Sequence, residues 1–260
     1  MNFEHPVESL FSNPEQDVAS QFSVYEASDL VKGGNIVNQQ STKPVSGDSL
    51  RTVVDAKEWL PFAAEVYEIS PKLSDYIIVP VEIIRSDIPN RNGIAFPMEE
   101  LMRFHPPPNA IQAYRTWIGQ PTHYEHQNNT VNKLAKGVII SVAIRKMENV
   151  MGDYIRLLHL LAFDRTKDPK LCQDILDRKR TGYSMGSSCE TYTCPICNAD
   201  MRNRGYCDHI DVRTKQSKSR MQIFGDKLAY CQSRGVRGFE CSSVAIPAFH
   251  YAKNANILIE

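Results

Sequence analysis

The sequence predicts a mixed α+β fold in which strands dominate and a few helices sit between them. Three observations carry this. Runs rich in β-branched and aromatic residues recur from residue 75 to residue 246, helix punctuation is confined to a few places, and a polar Cys-rich segment interrupts the strand pattern. With 260 residues the chain has room for one large domain or two small ones and needs no staples to close a core.

Residues 1–50 are rich in Ser, Asn, Gln, Asp and Gly, with scattered apolar positions. Such a stretch has too little apolar surface to repay the entropy of ordering it alone, so it reads as a polar extension, partly disordered or draped over something else. DYIIVPVEII (75–84) is a β-rich run in which Pro80 indicates an edge position or a bulge. FPMEELMRF (96–104) reads as a short helix opened by a proline. KGVIISVAIRKM (136–147) and DYIRLLHLLAF (153–163), joined by a polar link, read as a hairpin.

DPKLCQDILDRKRTG (168–182) carries the signature of a helix. Asp168 suits the N-cap and Pro169 the first turn, Arg178, Lys179 and Arg180 suit the C-terminal dipole, and Gly182 ends it. GYSMGSSCE (182–190) then returns to strand character, as do KLAY (227–230) and GFECSSVAI (238–246) after the polar segment 191–220.

Composition excludes several classes. Lys plus Arg (30) balances Asp plus Glu (30), which argues against a strongly basic nucleic-acid binder. The basic residues of DVRTKQSKSRMQ (211–222) read as solvated surface. No apolar run approaches the ~20 residues of a membrane helix, and the first residues lack the basic start and apolar stretch of a signal peptide. The expectation is a soluble protein of a reducing cytoplasm. There the seven cysteines, four of them between 189 and 207, point to a metal rather than to disulfides.

Three constellations could carry chemistry. Cys194-x2-Cys197 followed by Cys207-x-His209 offers three thiolates and an imidazole, the donor set of a tetrahedral zinc site. Cys207 and His209, read as two apart on an extended strand, would point the same way. A closed four-ligand set makes such a site structural, with Cys189 as a substitute ligand, and metal would stabilise a segment that burial alone cannot. Ser184 in GYSMGS is a candidate nucleophile if a base lies nearby in space. PTHYEHQ supplies His123 and His126 as candidate bases.

Taken in order, HYEH (123–126), the hairpin runs, the helix after Asp168, YSMG (183–186) and FECSSVAIPA (239–248) resemble the prohead (capsid maturation) proteases of tailed bacteriophages, distant relatives of the herpesvirus assemblins. The likeness covers roughly residues 76–252. It implies an α+β fold with a mostly antiparallel, barrel-like protease core over 51–190 and 221–255, a zinc-binding insertion over 191–220 and a tail over 256–260. It also implies a serine endopeptidase with Ser184 as nucleophile and His126 as general base. Glu240 stands where the assemblins keep their third residue, with Asp164 as the alternative.

The implied substrates and partners are scaffold or core proteins and the major capsid protein of an assembling phage head, together with further copies of the chain itself. The implied place of action is the prohead in the host cytoplasm. The terminal Leu258-Ile259-Glu260 is similar to the apolar-x-Glu cleavage signal of such proteases, which raises self-cleavage. The reading from another class is a zinc-stabilised structural or scaffold protein of the phage head without activity.

Overall fold

A computed structural model describes residues 25–26, 56–106, 110–126, 131–147, 152–213 and 221–253. The fold is mixed α+β, with few helices and a sheet curled as a half-barrel. The strands are β1 (Tyr25–Glu26), β2 (Tyr76–Arg85), β3 (Ile94–Ala95), β4 (Pro121–Tyr124), β5 (Gly137–Met147), β6 (Tyr154–Asp164), β7 (Gly182–Ser188), β8 (Thr191–Thr193), β9 (Ile223–Phe224), β10 (Lys227–Leu228), β11 (Cys231–Arg234) and β12 (Arg237–Val244). The helices are α1 (Ala56–Tyr67), α2 (Met98–Met102) and α3 (Pro169–Leu176).

The main sheet runs β1-β2-β6-β5-β4-β12-β7, antiparallel throughout except where β4 lies parallel to β12. Its centre is the hairpin read from the sequence, β5 on β6, with a bulge between Ile139 and Ser141. These strands are apolar on consecutive positions because both faces of the sheet are covered. Ile77, Val79 and Val81 face one core with Ile139, Phe163 and Trp117. Tyr76 and Ile78 face the other, with Val138, Ile140 and the α1 residues Leu60 and Ala64. Successive strand residues point to opposite faces, so covering both removes the polar half of the usual alternation.

Pro80 lies where β2 is paired on one side with β6, while β1 reaches only Ile77 and Ile78 on the other. Tyr25–Glu26, inside the expected polar extension, is therefore a strand in the sheet. α3 begins as expected, with the Asp168 carboxylate accepting from Leu171 N–H at 3.0 Å. It stops at Leu176, earlier than the punctuation at Gly182 suggested: Arg178 turns left-handed (φ 58°), and Gly182 opens β7. Arg178, Lys179 and Arg180 thus lie beyond the helix.

Candidate active site and candidate metal centre

The site is built on three neighbouring strands. Ser242 on β12 stands in register with Ser184 on β7 and with His123 on β4. Residues in register share a face and every second residue returns to it, so Ser184, Ser242, His123 and Glu240 share one side. Tyr183 and Cys241 fall on the other side, in the main core.

Glu240 is fully buried, and a buried carboxylate is costly unless its oxygens are bonded. Both are: Oε1 stands 3.1 Å from His126 Nδ1, and Oε2 accepts from the Ser242 hydroxyl. The carboxylate has space because residue 186 is glycine. A Cβ there would overlap Oε1 and the Phe239 ring. Trp117 Nε1–H holds the Gly186 carbonyl at 3.1 Å and pins this part of β7.

His126 projects from the turn after β4, with 46% of its side chain exposed. The Glu240 hydrogen bond raises its pKa above the usual histidine value, against the opposing effect of burial. With Nδ1–H donating to the carboxylate, Nε2 is left as the basic nitrogen. His123 differs. It is 1% exposed, and burial lowers its pKa. Of the two histidines, only His126 faces the pocket.

That pocket, of about 350 Å³, is lined by His126, Ser184, Gly186 and Glu240. Apolar Ile83, Phe96 and Phe249 and neutral polar Asn90, Asn92 and Ser233 also line it. No lysine or arginine is among the described residues of the wall. Ser184 is 7% exposed, and among the described residues no hydrogen bond joins it to His126. Resting sites commonly hold nucleophile and base slightly apart until substrate arrives.

Asp164, the alternative third residue, is occupied elsewhere. At the end of β6 it accepts from Ser70 N–H and Thr166 N–H, each at 2.7 Å, and does not line the pocket. The geometry brings together Ser184, His126 and Glu240. Sequence reading did not reach Ser242, although its position two residues after Glu240 on a strand was the available signal.

The Cys/His group is also assembled. One ligand atom each from Cys194, Cys197, Cys207 and His209 lies within 4.8 Å of the others. The first pair comes from a turn in which Asn198 takes φ 57° and its N–H bonds the Cys194 carbonyl. The second pair corrects the expectation of an extended strand: the Tyr206–Asp211 bridge and Cys207 N–H to the Ile210 carbonyl fold it into a tight turn. The His209 N–H also points at Cys207 Sγ, at 3.5 Å.

Three sulfurs and one nitrogen at this spacing fit a metal, and among the described residues the buried His209 Nδ1 has no hydrogen-bond partner. Cys189, the substitute ligand, lines the serine pocket instead. The lobe reaches past the expected segment. Cys194, Met201 and Ile210 pack with Ala229 and Cys231, and β8 pairs with β11, which also pairs with β3. Tyr192 and Ser233 of this small sheet form part of the pocket wall.

No protein-family model, curated protein or solved structure matches the chain.

Proposed function

We propose that the chain is a serine endopeptidase with Ser184, His126 and Glu240 as its catalytic residues. The observation that carries this reading is the His126–Glu240 hydrogen bond at 3.1 Å, made on the wall of the pocket that also holds Ser184. In the mechanism, Nε2 of His126 takes the Ser184 proton as Oγ attacks a peptide carbonyl. The same nitrogen then gives that proton to the leaving amine, and the acyl group stays on Ser184. Water, deprotonated by His126, attacks the acyl carbon and releases the second product and the free serine. Glu240 holds the Nδ1–H tautomer and stabilises the imidazolium formed in each half-reaction. β7 is an edge strand whose first residues, Gly182 and Tyr183, pair with Lys253 and Ala252; beyond them its outer edge is where an extended substrate would lie.

The metal of the Cys/His group is proposed to be zinc. The ligand set would be Cys194, Cys197, Cys207 and His209, and the role structural, because four protein donors leave no position open for substrate. The resemblance set out above supplies the substrate class: scaffold or core proteins and the major capsid protein, cut inside an assembling phage prohead.

Co-expression with such a scaffold protein tests the reading. Wild-type protein should cleave it, while Ser184→Ala and His126→Ala should each lower the rate by at least about 10³-fold, with the double variant no worse. Cleavage by Ser184→Ala at the wild-type rate would leave the mechanism without its nucleophile.

A further inference from the structure

We propose that Arg180 is a positioning residue that sets His126 for catalysis by clamping the turn that carries it. This rests on the serine endopeptidase reading given above. Arg180 lies in the short link between α3 and β7, four residues before Ser184. Its guanidinium reaches across to the turn after β4 and to the end of β12. One Nη bonds the Glu125 carboxylate at 2.5 Å and the Ser243 carbonyl at 2.9 Å, and Nε bonds Ser243 Oγ at 3.2 Å. The other Nη meets Tyr124 Oη at 3.3 Å, and the guanidinium stacks on the Tyr124 ring at 4.4 Å.

A planar fork making several bonds at once fixes direction as well as distance, which an ammonium does not. The turn needs such fixing. Glu125 sits in the left-handed region at φ 52°, which an L side chain other than Asn, Asp or His seldom adopts. Three bonds hold it there: its own N–H to the Ser243 carbonyl at 2.8 Å, its carboxylate from Ala245 N–H at 3.1 Å, and the Arg180 fork.

The next residue is His126. Its ring is nearly half exposed, and Glu240 is its only hydrogen-bond partner among the described residues. The direction in which the ring leaves the turn is therefore set by the backbone of Glu125. Arg180 is not among the described residues that line the pocket. It acts through Glu125 and Tyr124, and it couples the base's turn to the chain leading into the nucleophile's strand.

The test uses full-length protein, a fluorophosphonate probe and proton NMR of the His126 ring. Arg180→Ala should lower the limiting rate of Ser184 labelling by about tenfold to a hundredfold while leaving probe affinity within about twofold, since misplacement of a catalytic group by an ångström costs about that much. In Arg180→Lys, which keeps the positive charge, the His126 pKa, raised by Glu240 and Glu125 against burial, should fall towards the ordinary value as the Glu240 bond loosens. Arg180→Lys should fall between Arg180→Ala and wild type. Glu125→Gln, which keeps volume and removes the charge that Arg180 grips, should repeat the loss of labelling rate even if Arg180→Ala folds poorly; the pKa readout belongs to Arg180→Lys, because the Glu125 charge itself raises the His126 pKa.

Wild-type labelling in Arg180→Lys and Glu125→Gln, with an unmoved His126 pKa in Arg180→Lys, would overturn the proposal while leaving the endopeptidase reading intact. If wild-type protein takes no label but the His126 pKa still falls in Arg180→Lys, the endopeptidase reading fails and the clamp stands as a device that orients His126.

Discussion

Glu240 is the residue on which the site turns. It is buried, yet its two oxygens have a histidine and a serine as partners, and Gly186 opens the space it fills. The hydrogen bond raises the His126 pKa, so the folded protein binds that proton more tightly than the unfolded chain does. The stabilisation is complete below the unfolded histidine value and fades as pH rises through the folded one. In the proposed mechanism activity would run the opposite way, because a general base works only when neutral. Glu240→Gln should therefore lower kcat and move the acid limb of the kcat/KM profile to lower pH, as the imidazole loses the partner that held its proton. A pH–rate profile checks this. An unmoved acid limb would mean that Glu240 does not govern the base.

At the scale of elements, the metal lobe is a wall of the pocket as well as a separate knot. β8 leads directly into Cys194, and Tyr192 and Ser233 of its small sheet face the cavity that holds Ser184. Purified protein should carry about one zinc per chain by elemental analysis. Cys194→Ser and Cys207→Ser should lose it and lower Tm by at least about 5 °C. Their effect on cleavage should fall mainly on KM, because they disturb the wall and leave the Glu240–His126 pair in place. Full zinc and unchanged melting in both variants would remove the assignment.

The elements read correctly from sequence are those with local signals. The long apolar runs of β5 and β6 and the Asp168-Pro169 cap of α3 need no tertiary knowledge. α1 was missed because Pro61 sits inside it and breaks the pattern that would have revealed it. The basic run after α3 suggested dipole compensation, whereas Arg180 serves a turn 55 residues away. Its partners come together only through the pairing of β4 with β12, which no local pattern encodes. The Ser184, His126 and Glu240 set was legible through family resemblance; Ser242, Gly186 and Arg180 acquire their roles from strand register alone.

Across the whole molecule, one curled sheet brings together residues from three distant segments, and the lobe after β7 closes over the same pocket. The C-terminal Leu258-Ile259-Glu260 lies outside the described residues. Apart from His126 and Glu240, the described wall offers neutral and apolar groups, without a lysine or arginine. A glutamate before the scissile bond thus gains no ion pair from it, and a peptide containing NILIQ should be cut at least as fast as one containing NILIE. A strong preference for the glutamate, read by chromatography of the products, would require a cation supplied from beyond this wall.

The central claim, that Ser184 is a nucleophile activated by His126, is tested most directly by locating a covalent label. Wild-type protein treated with a fluorophosphonate should yield one modified peptide by mass spectrometry, carrying the adduct on Ser184, and His126→Ala should take up almost none. Absence of the adduct from Ser184 in folded wild-type protein, or equal labelling in His126→Ala, would contradict the account.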